Sequence, residues 1–138
     1  MRIRPFDEND TEAVVALWRD CGLTRPWNDP YRDIRRKLEV QREFFLVGAV
    51  DGAVAASAMA GYDGHRGWVN YLAVAPAHRG AGHGRALMAE IERRLEAIGC
   101  PKLNLQVRAD NEQALEFYRA LGYAPDAAVS LGKRLIAD

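Results

Sequence analysis

The residues best suited to chemistry lie in one glycine-rich stretch. From Val74 to Leu87 the chain reads VAPAHRGAGHGRAL, with glycines at alternate positions and an arginine on each side of them. Glycine lets successive backbone N–H groups point into one concavity, because no Cβ stands in the way. A strand-like run precedes this glycine turn (Arg79–Arg85) and a helical pattern follows it, so the helix start adds donors and its positive dipole end. The stretch predicts an anion site suited to phosphate.

Three alternative roles for the glycine turn fit its residues less well. A simple link from a strand to a helix usually needs one glycine, not three. A Walker A loop needs Gly-Lys-Ser/Thr where this chain has Gly84-Arg85-Ala86, which supplies neither the lysine nor the magnesium-binding hydroxyl. A dinucleotide fingerprint needs G-x-G-x-x-G, usually in the first βα unit, whereas Gly80, Gly82 and Gly84 give G-x-G-x-G late in the chain.

A few other side chains could take part in a reaction. Tyr118 has a hydroxyl that can donate a hydrogen bond or a proton, and its helical spacing also suits a core position. Asn111 stands where a helix is predicted to begin, which suits an N-cap as well as a ligand contact. Asp63 and His65 share a loop, where an aspartate often forms a turn and a histidine is often solvated. These two are candidates for a base or a substrate ligand, and a chain of water molecules is an equally good candidate for the base.

The pattern of apolar residues predicts the elements that position these side chains. A strand over Met1–Pro5 is followed by two helices, the first after a capping box at Asn9–Glu12 and the second after Asp29-Pro30. A hairpin turn is predicted at Asp51-Gly52. The remaining predicted elements are strands over Phe44–Val50, Ala53–Tyr62, Trp68–Val74, Leu103–Val107 and Val129–Ile136, and helices over Gly84–Ile98 and Asn111–Leu121.

This order predicts an α/β fold of the mixed α+β kind in a single domain over residues 1–138. A strand, two helices and three strands come first; helices then alternate with strands, and two strands close the order. Such an order implies a mixed, mostly antiparallel sheet with helices on both faces, not a doubly wound nucleotide fold. The long helix after the glycine turn is predicted to bury one face, made of Leu87, Met88, Ile91, Leu95 and Ile98.

Composition narrows the function classes. The chain has 138 residues, and 19 basic residues balance 19 acidic ones, which gives no electrostatic reason to bind nucleic acid or an anionic membrane. We expect a cytoplasmic protein, because the N-terminus lacks the apolar core of a signal peptide and no apolar run is long enough for a membrane span. Cys21 and Cys100 are expected to be buried and reduced, and the histidines lack metal-ligand spacing, so no metal is expected.

In combination, these motifs resemble the GNAT superfamily of N-acetyltransferases over essentially the whole chain. Arg79-x-x-Gly82-x-Gly84 is similar to the acetyl-CoA signature of that family, with Leu72-Ala73-Val74 before it and Asn111-x6-Tyr118 after it. Among bacterial members the chain looks most like the group called YpeA. That narrower resemblance is carried by the segments Arg25–Pro30, Gly61–Gly67 and Ser130–Ile136.

The resemblance implies transfer of an acetyl group from acetyl-CoA to an amine of a small molecule or a protein. Asn111 would contact the cofactor, Tyr118 would lie beside the thioester sulfur, and Trp27 and Asn28 would belong to the acceptor wall. The other cofactor contacts would come from the main chain before the turn, which would pair with pantetheine, and from the turn, which would hold the pyrophosphate: Leu72, Ala73, Val74, Arg79, Gly80, Ala81, Gly82, His83, Gly84 and Arg85.

Two points remain open at the level of sequence. Relatives that acetylate protein N-termini place a glutamate five residues before the asparagine, where this chain has Gln106, which cannot take a proton. This difference weighs against acetylation of ribosomal proteins and leaves the general base unassigned. A non-catalytic acyl-CoA-binding module would share the glycine turn without needing Tyr118, so it stays as the alternative. A homodimer is compatible with either function.

Overall fold

The computed structural model describes all 138 residues, which form two compact units: Met1–Leu105 with Asp138, and Gln106–Ala137. The second unit contains one helix, α4 (Glu112–Ala120). The first unit contains, in chain order, β1 (Arg2–Pro5), α1 (Thr11–Asp20), α2 (Pro30–Leu38), β2 (Phe45–Val50), β3 (Ala53–Tyr62), β4 (Gly67–Val74), α3 (His83–Ala97) and β5 (Leu103–Leu105).

The strands form one mixed sheet in the order β1-β2-β3-β4-β5. Neighbouring strands are antiparallel except for β4 and β5, which are parallel. The predicted hairpin between β2 and β3 is confirmed, because Asp51 and Gly52 have φ of 52° and 80°, as a two-residue type I′ turn requires. The predicted fold class, a mostly antiparallel sheet in an α/β chain, is therefore confirmed.

The two faces of the sheet carry different helices, because successive side chains of a strand point to opposite sides. One face packs on α1 and α2 around Trp18, Ile34 and Phe45. The other face carries α3, which packs against β3 and β4. The residues of that layer are fully or almost fully buried: Ala56, Ala58 and Ala60 of β3, and Leu87, Met88, Ile91 and Leu95 of α3.

A β-bulge interrupts β4. The pairing with β3 shifts by one residue, so Tyr71 and Leu72 lie opposite Ala58 alone. Tyr71 has a φ of 55°, in the left-handed region that a residue with a side chain seldom adopts. A bulge bends its strand and redirects side chains. As a result Val69 faces the α3 layer, whereas Ala73, four residues later, belongs to the core on the α1 side.

β4 and β5 separate soon after they meet. The pairing covers only Gly67–Val69 of β4, which continues to Val74. Because β4 has β3 on one side and β5 on the other, the main chain from Asn70 to Val74 has no strand partner on the β5 side. This part of β4 is an internal edge of the sheet.

The strand predictions near the C-terminus are wrong in two respects. Residues 123–138 form no helix or strand, so both closing strands of the predicted order are absent, including the one predicted over Val129–Ile136. The side chains of Val129, Leu131 and Leu135 are 85%, 91% and 87% exposed, because no second strand pairs with this segment and alternation alone does not make a strand. β5 ends at Leu105 instead of Val107, since its pairing with β4 stops there.

Three smaller expectations also need correction, two of them at helix ends. Ile98 is 49% exposed, because α3 ends at Ala97 and Ile98 follows as its C-cap residue. The capping box lies two residues earlier than predicted, between Asp7 and Asp10, and α1 continues directly from a short 3-10 turn.

The third correction concerns the two cysteines, which are free as expected but only partly buried. Cys21 directly follows the last residue of α1, and Cys100 lies in the connection between α3 and β5. No helix is both long and apolar enough to cross a membrane. No group of three or more His, Cys, Asp or Glu side chains is placed to hold a metal ion.

Candidate active site

The glycine turn presents a run of unused backbone donors. The N–H groups of residues 80–85 donate to no acceptor in the chain, and the helical series starts with the N–H of Ala86, which donates to the carbonyl of Gly82 at 3.0 Å. Gly80 and Gly82 have φ of 82° and 81°, where any side chain would strain the backbone. Nothing lies within 4 Å of the Cβ position of either residue, so the concavity is open. Such a donor set fits a diphosphate group.

The start of α3 is also electropositive in comparison with the starts of α2 and α4. Those two helices each begin with a side-chain N-cap, Asp29 and Asn111, and each has an acidic residue in the first turn. α3 has Gly82 at the N-cap position, and its first turn contains no acidic residue. The positive end of the helix dipole is therefore left without a negative partner from the chain. An anionic ligand would supply that partner.

The predicted pantetheine contacts lie on the internal edge of the sheet. Leu72, Ala73 and Val74 follow the last residue of β4 that pairs with β5, so an extended ligand can add there as a strand would. At the end of this edge the guanidinium Nε of Arg79 donates to the carbonyl of Val74 at 3.1 Å, and Nη2 donates to the sulfur of Cys21 at 3.4 Å. The side chain of Arg79 thus lies against the end of β4, and the donors of the turn itself are main-chain groups.

In the second unit, α4 carries the other two predicted cofactor and catalytic residues. The Oδ1 of Asn111 accepts the N–H of Ala114 at 3.0 Å, so its N-cap role is confirmed. Tyr118 packs edge-on against Phe117 and Tyr123, with ring centroids 5.0 and 5.8 Å apart. Burial raises the pKa of Tyr118 to about 12, so its hydroxyl keeps its proton at neutral pH and remains a donor.

Asp63 and His65 lie in the loop between β3 and β4. Asp63 accepts the N–H groups of His65 and Arg66 through Oδ1, at 2.8 and 2.7 Å, and the indole N–H of Trp68 through Oδ2 at 3.3 Å. The N–H groups of Arg66 and His65 lower the pKa of the Asp63 carboxyl. These contacts favour the turn-forming interpretation of Asp63, because a carboxylate stabilised in this way is a weaker proton acceptor.

Three polar side chains meet between α2 and β4, and we call Asn28, Asp33 and Tyr71 the α2–β4 cluster. The hydroxyl of Tyr71 donates to Oδ2 of Asp33 at 2.7 Å. The amide of Asn28 donates to the Tyr71 hydroxyl at 2.9 Å and also to Oδ2 of Asp33. The sequence predicts a site role for Asn28 but not for Asp33 or Tyr71, because no short motif links residues 38 positions apart.

Aromatic packing holds the Tyr71 end of the cluster. The ring of Tyr71 stacks on Trp18 with centroids 3.9 Å apart, and the indole N–H of Trp18 donates to the buried Ser57 hydroxyl at 3.0 Å. Burial, and then the bond to Asp33, raise the pKa of Tyr71, so its hydroxyl stays a donor. Trp27, which the sequence also places in the acceptor wall, is 58% exposed beside Asn28 in the chain.

The family profile and the relatives found by sequence comparison agree on one family. The profile of the Acetyltransferase (GNAT) family matches residues 11–123. An acetyltransferase of Yersinia enterocolitica is 51% identical over 138 residues, which cover 100% of this chain and 98% of that protein.

Solved structures agree in fold. Ard1 from Thermoplasma volcanium superposes with a TM-score of 0.79 at 27% identity, over 91% of this chain and 84% of that one. An aminoglycoside N-acetyltransferase solved in complex with CoA has a TM-score of 0.74 at 18% identity, over 96% of this chain and 99% of that one. The second similarity is one of fold alone.

Proposed function

This chain belongs to the Acetyltransferase (GNAT) family, and on that premise we propose that it moves the acetyl group of acetyl-CoA to a primary amine by direct attack of the amine on the thioester. The run of unused N–H donors at residues 80–85 carries the proposal, because it fits the diphosphate of that cofactor. The curated relative is itself an acetyltransferase, and no comparison favours the non-catalytic alternative. The resemblance to the YpeA group stays a prediction.

The chain divides cofactor binding between two main-chain surfaces. The N–H groups from Gly80 to Arg85 would hold the pyrophosphate, assisted by the dipole of α3. The internal edge at Leu72–Val74 would pair with the amide groups of pantetheine. Bound acetyl-CoA would supply an activated acetyl thioester. Asn111 is proposed as a further cofactor contact, which its N-cap bond allows because a carbonyl oxygen has two lone pairs.

The reaction has three requirements that groups of the chain would have to meet. An alkylammonium with a pKa near 10.4 is only about 0.04% free base at pH 7, so a proton must leave before attack. A main-chain N–H near Val74 is the proposed donor to the negative charge that develops on the thioester oxygen. Tyr118 is the proposed donor to the departing sulfur, since a protonated phenol can give a hydrogen bond or its proton to a thiolate.

Cofactor choice gives the first test. Isothermal titration calorimetry should show that acetyl-CoA binds in the micromolar range, while NAD and ATP bind far more weakly. The expected reason is that the glycine turn matches neither nucleotide loop, whereas the internal edge of β4 adds pantetheine contacts that NAD and ATP cannot make. Comparable affinity for NAD would overturn the proposal.

Turnover gives the second test. A panel of small amines and lysine-containing peptides should be incubated with acetyl-CoA, and thiol release should be followed against a no-acceptor blank. We expect at least one amine to raise thiol release well above that blank. Tight acetyl-CoA binding without any accepted amine would instead support the non-catalytic acyl-CoA-binding module.

A further inference from the structure

The internal edge of β4 ends in a carbonyl that side chains of this protein already occupy. The N–H of Ala75 donates to the carbonyl of Ala55 in β3 at 2.8 Å. Both main-chain groups of a strand residue point to the same side, and neighbouring residues alternate, so those of Val74 point towards the β5 side. The carbonyl of Val74 accepts there from the Nε of Arg79 at 3.1 Å and from the sulfur of Cys21 at 3.4 Å. A ligand that adds to the edge therefore finds no free lone pair on this carbonyl.

Arg79 and Cys21 also contact each other, so three parts of the chain meet at this carbonyl. The Nη2 of Arg79 donates to the sulfur of Cys21 at 3.4 Å, and Cys21 is the C-cap residue of α1. Nε and Nη2 lie on one edge of the planar guanidinium, and both donate within this group, which we call the Cys21–Arg79–Val74 contact. A lysine could not reproduce the contact, because an ammonium on a flexible stem lacks the rigid fork of donors.

The Cys21–Arg79–Val74 contact ties the near end of the glycine turn to the sheet. Packing of α3 against β3 and β4 fixes the far end of the turn. At the near end the main-chain bonds are local to the 3-10 turn over Pro76–His78, and the N–H of Arg79 lies 3.4 Å from its acceptor. No other hydrogen bond joins residues 79–85 to β4. Gly80 and Gly82 leave the backbone freer than other residues would, so the guanidinium restricts the conformations of the turn.

The orientation of the guanidinium weighs against a role as a charge that binds phosphate. Arginine typically binds a phosphate through two N–H groups on one edge of its fork. That edge of Arg79 is turned to the Val74 carbonyl and the Cys21 sulfur. The unused N–H donors of the turn belong to the main chain. The side chain of Arg79 therefore suits holding the site in shape better than contacting its ligand.

From these contacts we infer that Arg79 and Cys21 are positioning residues, which hold the diphosphate turn and the pantetheine edge at a fixed spacing. One ligand can use both main-chain surfaces only if their spacing matches it, and a site that is ordered in advance loses less entropy on binding. A ligand that spans both surfaces should therefore depend on Arg79, whereas a ligand that occupies the turn alone should not. This inference rests on the proposed binding of acetyl-CoA.

Two ligands of different length test the inference. Calorimetry, with displacement of acetyl-CoA where binding is weak, should compare acetyl-CoA with the 3′-phosphorylated ADP that remains of CoA when pantetheine is removed. Arg79→Lys keeps the positive charge and loses the fork, so we expect acetyl-CoA to bind about tenfold more weakly and the shorter ligand to stay within roughly twofold. Arg25→Lys is the matched control, since the Nη1 of Arg25 also donates to main-chain carbonyls, those of Gly22 and Thr24, both at 2.8 Å. It should change neither affinity.

The sulfur is tested separately. Cys21→Ala should weaken acetyl-CoA binding roughly two- to fivefold and leave the shorter ligand unaffected, because the guanidinium then loses one of its two acceptors. Cys100→Ala is its control, since the sulfur of Cys100 also donates to a main-chain carbonyl, that of Lys102, at 3.4 Å. An unchanged acetyl-CoA affinity in Cys21→Ala would remove Cys21 from the inference.

Equal losses for the two ligands in Arg79→Lys would overturn the inference, and so would unchanged affinities, which would mean that charge alone is needed at this position. Thermal melts establish that each variant is folded. If Arg79→Lys is not, Arg79→Met keeps the apolar stem, and its loss for acetyl-CoA should exceed that for the shorter ligand at least fivefold. If the unchanged protein does not bind acetyl-CoA, the proposed function and the inference both fail. If it binds acetyl-CoA and the variants affect both ligands alike, only the inference fails.

Discussion

The glycine turn and the α2–β4 cluster are built in opposite ways. The glycine turn offers main-chain N–H groups from consecutive residues, and its proposed role requires that no side chain fills the space in front of them. The α2–β4 cluster uses side chains from α2, the segment before it and β4, and it depends on Trp18 from α1 as well. A main-chain site therefore depends on local conformation, whereas a side-chain site depends on how distant elements pack.

This difference predicts how each region responds to mutation. Changing one side chain's chemistry should remove a side-chain function and leave cofactor affinity intact. Changing backbone freedom in the glycine turn should do the reverse.

The largest expected effect concerns Tyr118, which is proposed to act through its hydroxyl alone. Tyr118→Phe keeps the ring and removes the donor, so turnover should fall 10²–10⁴-fold, roughly 3–5 kcal/mol in the barrier. Acetyl-CoA affinity should stay within a few-fold, because the proposed cofactor contacts are main-chain groups. Single-turnover rates with an amine from the acceptor panel measure the first quantity, and calorimetry measures the second.

Tyr123→Phe is the matched control for this experiment. It removes a hydroxyl from the ring that packs edge-on against Tyr118, and it should leave turnover nearly unchanged. Normal turnover in Tyr118→Phe, with a stability change of about 1 kcal/mol, would mean that Tyr118 is a packing residue and takes no part in the chemistry.

Tyr71→Phe should have the next largest effect, and on stability. The variant removes a hydroxyl that donates to a carboxylate, so we expect a loss of about 1.5–3 kcal/mol in the free energy of unfolding. Urea denaturation measures the loss. Tyr31→Phe removes a hydroxyl that donates to Glu12 at an exposed position and should cost clearly less. Equal losses in the two variants would show that the cluster contributes no more than a surface contact.

Gly82→Val tests the main-chain site. The substitution places a branched side chain at a φ of 81°, beside the donors of the turn, so acetyl-CoA affinity should fall about tenfold, or about 1.4 kcal/mol. Gly99→Val is matched to it, since Gly99 has a φ of 87° in equally open surroundings beyond the other end of α3. It should cost stability without changing affinity. Similar affinity losses in both variants would point to general unfolding.

The smallest effect is expected where side chains interact within one helix. Glu90 pairs with Arg93 at 2.5 Å and with Arg94 at 2.8 Å, and these arginines lower its pKa to about 2. Glu90→Gln should cost only about 0.2–1 kcal/mol, because solvent screens the pair. A lowered pKa in the folded state stabilises the protein above about pH 4.5 and loses that effect as the pH falls towards 2. Thermal melts of both proteins should therefore converge at low pH.

Local signals account for what the sequence predicts correctly. Asp29-Pro30 starts α2, Asp51-Gly52 closes the hairpin, and Asn111 caps α4, each through a conformation or a bond that involves near neighbours. The glycine turn belongs to the same class. Its location can therefore be predicted from the order of residues, although its proposed ligand contacts stay a prediction, as does the expectation of a single domain.

Long-range packing accounts for what the sequence does not predict. Tyr71 takes a conformation that its residue type disfavours, because Trp18 and Asp33 hold it from elements far apart in the chain. The segment Val129–Ile136 shows the converse. Its alternation of residue types is typical of a strand, but no strand forms, because no second strand pairs with it. Neither outcome is encoded within a window of neighbouring residues.

The bulge in β4 makes the length of that strand matter more than the identity of several of its residues. Val69 and Ala73 would share a face in a regular strand, and the one extra residue places them on opposite faces. Deleting a single residue between them would move every later side chain of β4 to the opposite face of the sheet, and so into the wrong layer. Point substitutions here can be absorbed by repacking, but insertions and deletions cannot. Libraries for engineering this enzyme should therefore vary residue types in β4 and keep its length constant.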